Sequence, residues 1–307
     1  MLKLNTLSAL LFLSSPALAG AIETPVVGGT PVPAGKWPDV ALVVAHDALC
    51  TGTLIAPDVV LTAGHCIGID PVEVVLDTVD FGEPGGEAIK VKSATAYPDW
   101  QHSFDVGVLV LDHAAREKPR AIAAACTAKE HVAVGDPVHI VGFGLTAASG
   151  KGMNTQLHEA DLAITDATCA QDPACQPSIA PGGEIVAGGG GTDSCFGDSG
   201  GPLYVTAAGS PALIAVVSRG LAETGTPCGH GGVYVRADRV VSWIEKVTGR
   251  TIARAKCDRP ADDDGTADAS ASGGCSTTSG AIGGGLVACV IAALWILTAP
   301  RRSRRRA

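Results

Sequence analysis

Three short segments of the sequence contain the residue types needed for nucleophilic catalysis by a serine. They are residues 61–66, which contain His65, residues 103–109, which contain Asp105, and residues 193–203, which contain Ser199. A serine hydroxyl is a weak nucleophile at neutral pH, so it needs a base within hydrogen-bond distance and a third group to orient that base. We therefore predict that His65 takes the proton of Ser199 and that a buried Asp105 holds the His65 tautomer.

Glycines surround the predicted nucleophile. Gly197 and Gly200 leave the backbone around Ser199 free of side chains. The backbone N–H groups of Gly197 and Ser199 can then point at the negative charge that develops on a substrate carbonyl oxygen. These two groups are the predicted oxyanion hole.

The stretch 197–201 also fits G-x-S-x-G, the strand-to-helix turn of α/β-hydrolases. That class needs an acid and then a histidine after the serine, and Glu223 and His230 follow in this order. No alternation of helices and strands surrounds them, however, and the Gly200-Gly201-Pro202 sequence is a poor helix start. We therefore reject the α/β-hydrolase alternative.

The elements that must position these residues are predicted to be β-strands. Between residues 26 and 236 the apolar runs are short and bounded by Gly, Pro and Asp, which is typical of an all-β sandwich or barrel. The runs are Val40 to Val44, Val59 to Leu61, Val106 to Leu111, Val138 to Val141, Leu203 to Val205, Leu213 to Val217 and Val233 to Val235. Apolar residues at helical spacing predict one helix, at 237–248, which Gly249 ends.

Composition excludes several classes of protein. Among the 307 residues, 46% are hydrophobic and 17% are charged, which excludes wholesale disorder. The net charge of -9 argues against nucleic acid as a partner. Since the sequence has no CxxC, no HExxH and no zinc-like clustering of His and Cys, we predict no metal and no cofactor.

In combination, these motifs resemble the trypsin-like serine proteases of the chymotrypsin family over roughly residues 26 to 250. The resemblance implies two perpendicular six-stranded antiparallel β-barrels with the active site between them, followed by a C-terminal helix. It implies a serine endopeptidase with protein or peptide substrates, in which His65 is the general base, Asp105 its orienting carboxylate and Ser199 the nucleophile. The alternative from another class is a non-catalytic, protease-like surface binding module, but such modules commonly lack a catalytic residue and this chain lacks none.

The same resemblance assigns the substrate pocket. Asp193 would lie at its base and select Lys or Arg, because an uncharged side chain would leave a buried carboxylate unpaired. The other substrate-binding residues it implies are Ser194, Ser218, Gly220 and Gly232. The family usually has Trp where this chain has Arg219, which could favour acidic substrate groups or lie flat over apolar surface by its stem.

The stretch from Val26 to Gly29 resembles the mature N-terminus of the family. There, cleavage frees an α-ammonium group that pairs with the acid before the nucleophile, here Asp198. The residue before the cut would be Pro25, and the sequence has no Lys or Arg between Lys3 and Lys36. A protease specific for Lys or Arg should therefore not activate itself, and we predict a separate activating protease.

Eight cysteines fall in the globular part, and in an exported chain they are expected to form disulfides. The family resemblance implies the pairs Cys50–Cys66 and Cys195–Cys228. We predict that Cys169 and Cys175 pair locally, since they have no family match at their spacing. Cys126–Cys257 then remains by elimination.

The two ends predict export and a membrane anchor. Residues 1–19 have the charged, apolar and A-x-A parts of a signal peptide, and 20–25 would be a short propeptide before the protease domain, 26–257. Residues 258–280 read as a flexible linker, 281–299 as one transmembrane helix and 300–307 as a basic cytoplasmic tail. The tail resembles the myxobacterial surface-sorting signal, with Cys275 in a small-residue segment; an ordinary membrane anchor is the alternative.

Overall fold

The computed structural model describes residues 25–170, 172–221 and 226–257. The predicted signal peptide, residues 20–24 of the propeptide, the linker, the membrane segment and the basic tail lie outside these ranges. Within the ranges, no helix is both long and apolar enough to cross a membrane.

The first half of the described chain forms a closed antiparallel barrel. The short strand β1 (Thr30–Pro31) precedes this barrel, whose strands are β2 (Val40–Val44), β3 (Leu49–Ala56), β4 (Val59–Thr62), β5 (Glu73–Leu76), β6 (Glu87–Ala96) and β7 (Gly107–Leu111). Strands β2 to β7 close in the order β2-β3-β4-β7-β6-β5. Strand β4 is fully buried and consists mainly of aliphatic residues, a composition that packs well on a pleated surface.

The second half forms another antiparallel barrel. Its strands are β8 (Pro137–Gly142), β9 (His158–Asp166), β10 (Glu184–Ala187), β11 (Pro202–Ala207), β12 (Ser210–Gly220) and β13 (Gly232–Arg236). They follow the order β9-β10-β13-β12-β11-β8, and pairing of β8 with β9 closes the ring. Strand β1 also pairs with β9. The prediction of two six-stranded antiparallel barrels is confirmed.

Six strands contain none of the predicted apolar runs; they are β1, β3, β5, β6, β9 and β10. In β6, the exposed Lys90 and Lys92 flank the partly buried Val91, so the apolar residues do not form a run. In a strand that faces solvent on one side, apolar and polar residues alternate in this way, so the strand contains no continuous apolar segment.

The predicted C-terminal helix is confirmed with a shorter extent. A 3-10 turn, Ala237–Arg239, precedes helix Val241–Thr248, and Gly249 ends it with a φ of 67°. Val241 and Ile244 are buried, whereas Val247 faces solvent. The described residues also contain helix Ala125–His131 and two short turns of helix, Gly64–Ile67 and Trp100–His102, which are too short for a readable periodicity. The segment Pro25–Gly28 is a turn, since Val26 and Val27 have non-helical backbone angles.

All four predicted disulfides are present. They are Cys50–Cys66, Cys126–Cys257, Cys169–Cys175 and Cys195–Cys228. The two barrels share one hydrophobic cluster, to which both contribute buried side chains such as Leu42, Ile55, Leu61, Val141, Tyr204 and Val216. Because this apolar surface is removed from water only when both barrels are folded, it fixes the barrels against each other. His65 follows a strand of the first barrel, Ser199 precedes a strand of the second, and both line one cavity.

Candidate active site

His65 lies in the short helix that follows β4. The disulfide between Cys66 and Cys50 joins this helix to β3. The preceding Gly64 permits a close approach, since a Cβ atom there would lie 2.8 Å from Trp100 Cβ and 3.0 Å from Asp105 Oδ1. A side chain at position 64 would therefore push His65 away from Asp105.

His65 and Asp105 form a two-point contact. The Nδ1 atom of His65 lies 2.8 Å from Asp105 Oδ2, and the His65 backbone N–H donates to Asp105 Oδ1 at 2.9 Å. A carboxylate only accepts hydrogen bonds, so Nδ1 carries the hydrogen and Nε2 is the basic nitrogen of the neutral ring.

The Asp105 carboxylate is buried and well supplied with donors. Besides the two His65 donors, the Ser218 hydroxyl donates to its Oδ2 atom at 2.7 Å. Burial acts to raise the pKa of Asp105, but the hydrogen bonds from His65 and Ser218 outweigh burial and lower the pKa below its ordinary value. Asp105 is therefore ionised at neutral pH.

Ser199 lies in the turn before β11, between the two barrels. Its carbonyl accepts the Thr51 N–H from β3 at 2.9 Å, and the next residue, Gly200, donates its N–H to the Val217 carbonyl of β12 at 2.8 Å. Ser199 and His65 line the same cavity, of about 290 Å³. The structure thus brings His65 and Ser199 to one cavity, and Asp105 lies buried against His65.

The peptide groups before Gly197 and Ser199 are fixed in direction. The Phe196 carbonyl accepts the Leu145 N–H at 2.8 Å, and the Asp198 carbonyl accepts the Gly201 N–H at 2.7 Å. In a trans peptide the N–H points opposite to the carbonyl. The N–H groups of Gly197 and Ser199 therefore point away from the hydrogen bonds that the Phe196 and Asp198 carbonyls accept. Gly197 has a φ of 101°, which favours glycine.

Some of the predicted substrate-pocket residues line the cavity, and the others lie directly behind them. Ser194, Ser218 and Gly220 line the cavity directly. Asp193 is fully buried beside Ser194. Gly232 packs against both, since a Cβ atom there would lie 3.0 Å from Ser194 Oγ and 3.3 Å from Asp193 Oδ1.

The Asp193 carboxylate is held by backbone donors. It accepts the N–H groups of Ser194 at 2.7 Å, Gly229 at 3.0 Å and Gly231 at 3.2 Å. Burial nevertheless raises the pKa of Asp193, and these backbone donors oppose the rise. A cation beside this carboxylate would stabilise its charged form.

Arg219 adopts an arrangement that we did not predict. Its guanidinium donates to the Ala174 carbonyl, at 2.8 Å from Nε, and its Nη2 atom lies 2.8 Å from Glu184 Oε1. The charge is thus paired within the protein rather than directed to acidic groups of a substrate.

The segment around Val26 is docked on the second barrel. Val26 is fully buried, and the Val27 carbonyl accepts the Asp193 N–H at 3.0 Å. Asp198 is also fully buried and accepts the N–H groups of Gly144 and Cys195, each at 2.8 Å. Burial raises the pKa of Asp198 to about 7, against the effect of these two hydrogen bonds.

Two clusters in the described residues have metal-ligand chemistry. One contains Cys50, His65 and Cys66, and the other Cys169, Cys175 and Glu184. In both clusters the two cysteines form a disulfide with each other, so they offer no thiolate.

Three residues of the site were not predicted from the sequence. Thr51 contacts the Ser199 turn, Glu184 pairs with Arg219, and Phe196 lines the cavity while 61% exposed. Phe196 lies in the same segment as Ser199, and this position could have indicated that it belongs to the site. Thr51 and Glu184 carry no local signal, because their roles arise from contacts between distant parts of the chain.

Comparison with known proteins gives a consistent result. The family model described as Trypsin matches residues 26–244. The chain is 34% identical over 224 residues to a trypsin of Saccharopolyspora erythraea, covering 69% of this chain and 92% of that protein. It is 30% identical over 234 residues to brachyurin of Leptuca pugilator, covering 74% and 100%. It is also 33% identical over 236 residues to glucanase inhibitor protein 3 of Phytophthora infestans, covering 73% and 88%.

Proposed function

Because the chain belongs to the trypsin family of serine proteases, we propose that it is an exported, surface-anchored endopeptidase that cleaves after Lys or Arg through an acyl-enzyme. The observation that carries the catalytic part is the two-point contact between His65 and Asp105 at the cavity that Ser199 lines. With Nδ1 committed to Asp105, the Nε2 atom of His65 is the base that accepts the proton of Ser199.

The reaction proceeds in two steps. Ser199 Oγ attacks the substrate carbonyl, His65 accepts the hydroxyl proton and then gives it to the leaving amine, and water hydrolyses the resulting ester by the same route. The N–H groups of Gly197 and Ser199 stabilise the oxyanion; the fixed direction of their peptide groups supports this role.

The preference for Lys or Arg rests on Asp193. This carboxylate is fully buried next to Ser194, and burial raises its pKa. A substrate cation that reaches it through the cavity would restore the missing counter-charge, whereas a neutral side chain would leave the carboxylate unpaired. Gly220 and Gly232 support access because neither adds a side chain to the wall.

Activation is proposed to require cleavage between Pro25 and Val26 by another protease. Val26 has a φ of 35°, a value that is rare for a β-branched residue, so the uncut backbone is strained there. Asp198 is buried with a raised pKa, and a free α-ammonium group on Val26 would supply its counter-charge. N-terminal sequencing of active protein should give a start at Val26; full activity with a start at Gly20 would contradict the activation step.

The anchor belongs to the proposal as well. It depends on residues 281–299 as a transmembrane helix and on the basic residues that follow them. Cell fractionation of the full chain should place it in the membrane fraction before any processing of the tail.

Two of the relatives indicate a second candidate function for the chain. The chain is similar to glucanase inhibitor protein 3 of Phytophthora infestans and, at 31% identity, to glucanase inhibitor protein 1 of Phytophthora sojae. A non-catalytic binding module is therefore the alternative. The ionised Asp105, its contact with His65 and the shared cavity favour the enzyme.

One experiment separates the two functions. An organophosphonate probe and a Lys or Arg peptide substrate are applied to the active full chain and to Ser199→Ala. We expect labelling only of the unmodified chain and a loss of about 10⁶-fold in kcat for the variant. The exposed Ser210→Ala serves as the control and should keep full activity. Unchanged cleavage by Ser199→Ala would refute the enzyme.

A further inference from the structure

A line of polar contacts runs from the buried Glu184 to His65. Arg219 Nη2 lies 2.8 Å from Glu184 Oε1, Arg219 Nη1 donates to Ser218 Oγ at 2.9 Å, and Ser218 Oγ donates to Asp105 Oδ2 at 2.7 Å. We propose that Arg219, held by Glu184, is a positioning residue that sets the direction of the Ser218 hydroxyl and so tunes the Asp105–His65 pair. This proposal rests on the protease function proposed above.

The chemistry of the donors fixes the hydroxyl. A guanidinium only donates, so Arg219 occupies an acceptor site of Ser218 Oγ. An ionised carboxylate only accepts, so the single hydrogen of the Ser218 hydroxyl points to Asp105. Without Arg219, that hydroxyl could rotate to another acceptor and leave Asp105 with one donor fewer.

Arg219 is itself held rigidly. Its Nε and Nη2 atoms both donate to the Ala174 carbonyl, at 2.8 and 2.5 Å, and its side chain is only 28% exposed. Glu184 is 1% exposed and also accepts the Gln176 N–H at 2.7 Å. The Cys169–Cys175 disulfide closes the loop that carries Ala174. A planar guanidinium suits this set of acceptors, which a lysine could not reproduce.

Arg219 and Glu184 carry opposite charges, and a substitution at either position removes one charge and leaves the other. Loss of Glu184 would leave the positive charge of Arg219 close to Asp105, which favours neutral His65. Without Arg219, Asp105 would lose the hydrogen bond from Ser218. Its less stabilised negative charge would then favour protonated His65. The two changes should therefore move the pKa of His65 in opposite directions.

Other charged groups near His65 are the same in every variant. Asp105 faces it directly, Asp198 precedes Ser199, and His102 is paired with Asp99 on the turn Trp100–His102. The charged residues of β6, which packs against the His65 helix, are Glu87, Lys90 and Lys92. The two lysines are exposed, so solvent screens their effect.

The test compares Arg219→Met, Glu184→Gln and the double variant in the active full chain. The substrate is a Lys or Arg ester with only a small blocking group, so that no upstream residue reaches Arg219. The acidic limb of the pH profile of kcat/KM reports the pKa of His65. We expect Arg219→Met to raise its midpoint by about half a pH unit and Glu184→Gln to lower it by a similar amount.

The double variant also lacks the Arg219 contact that directs the Ser218 hydroxyl, so its midpoint should lie above that of the unmodified chain and above that of Glu184→Gln. A double variant with the midpoint of the unmodified chain would overturn the positioning role, because opposite charges alone would cancel. Glu184→Gln and the double variant decide the question if Arg219→Met does not fold. Unmoved midpoints, or shifts in the same direction, would overturn the positioning role while leaving the protease function intact. NMR titration of His65 in the Ser199→Ala background measures the same pKa without catalysis, so an inactive protein would still test this proposal.

Discussion

At the scale of single residues, one buried carboxylate carries the specificity that we propose. Asp193 is fully buried, and three backbone N–H groups hold it in place. Backbone donors stabilise the charge without neutralising it, so the site remains attractive to a cation. The pair formed by Arg219 and Glu184 differs in this respect, because each of its charges already has a partner.

Replacing this carboxylate should change the preferred substrate. We expect Asp193→Ser to lower kcat/KM for Lys and Arg substrates by about 10⁴-fold, because the substrate cation would lose its buried partner. Hydrolysis after an apolar residue should fall far less. The measurement is kcat/KM for matched peptides that differ only in the residue before the cut. The exposed Asp47→Ser is the control; an equal loss for all peptides in Asp193→Ser would contradict the assignment.

At the scale of elements, strand β3 of the first barrel holds the turn that carries Ser199 in the second. The Thr51 hydroxyl donates to the Gly197 carbonyl at 2.8 Å and accepts the Phe143 N–H at 3.2 Å. The Thr51 N–H donates to the Ser199 carbonyl at 2.9 Å. One residue of β3 thus joins three points of the other barrel, and it does so next to the proposed oxyanion hole.

A pair of threonine variants in β3 tests this link. Thr51→Val leaves two buried backbone groups without a partner, so we expect the free energy of unfolding to fall by about 1–3 kcal/mol. We also expect kcat/KM to fall by about tenfold, as the turn bearing Gly197 loosens. Thr53 is equally buried, but its hydroxyl has no partner among the described residues. Thr53→Val should therefore be neutral, and equal effects of the two variants in urea unfolding and kinetics would contradict the link.

At the scale of the whole molecule, cleavage before Val26 should change how stability depends on pH. In the uncut chain, burial raises the pKa of Asp198 from 3.8 to about 7. A carboxyl whose folded-state pKa is raised stabilises the fold below its unfolded pKa, and this contribution is lost as pH rises through the folded value. The nearby Asp193 carboxylate, which has the same charge, adds to the rise.

We expect the uncut chain to lose on the order of 4 kcal/mol of stability between pH 4 and pH 8 from this group, since each pKa unit corresponds to about 1.4 kcal/mol. Urea unfolding of the Ser199→Ala chain, before and after cleavage at Val26, measures the change without self-digestion. The cut form should lose much of this dependence, because the new ammonium group pairs with Asp198. In the uncut chain, Asp198→Asn should flatten the curve; an unchanged slope would count against the activation step.

The sequence by itself indicated the candidate catalytic residues, the family resemblance and much of the architecture. The segments of His65, Asp105 and Ser199 could be recognised from short motifs, and the C-terminal helix from a local periodicity. The disulfides followed from the family resemblance for two pairs, from local pairing for the third and from elimination for the fourth. Strands such as β6 could not, since a half-exposed strand has no continuous apolar run.

Only the tertiary structure decided how distant residues meet. Thr51 and Gly197 are 146 positions apart, and Glu184 and Arg219 are 35 positions apart. Such contacts depend on the register of the strands and on the packing of one barrel against the other, and a shift of one residue turns a side chain to the opposite face of its strand. Nothing within a few residues of Arg219 signals that its charge has a buried partner, so its orientation follows from the fold rather than from any motif.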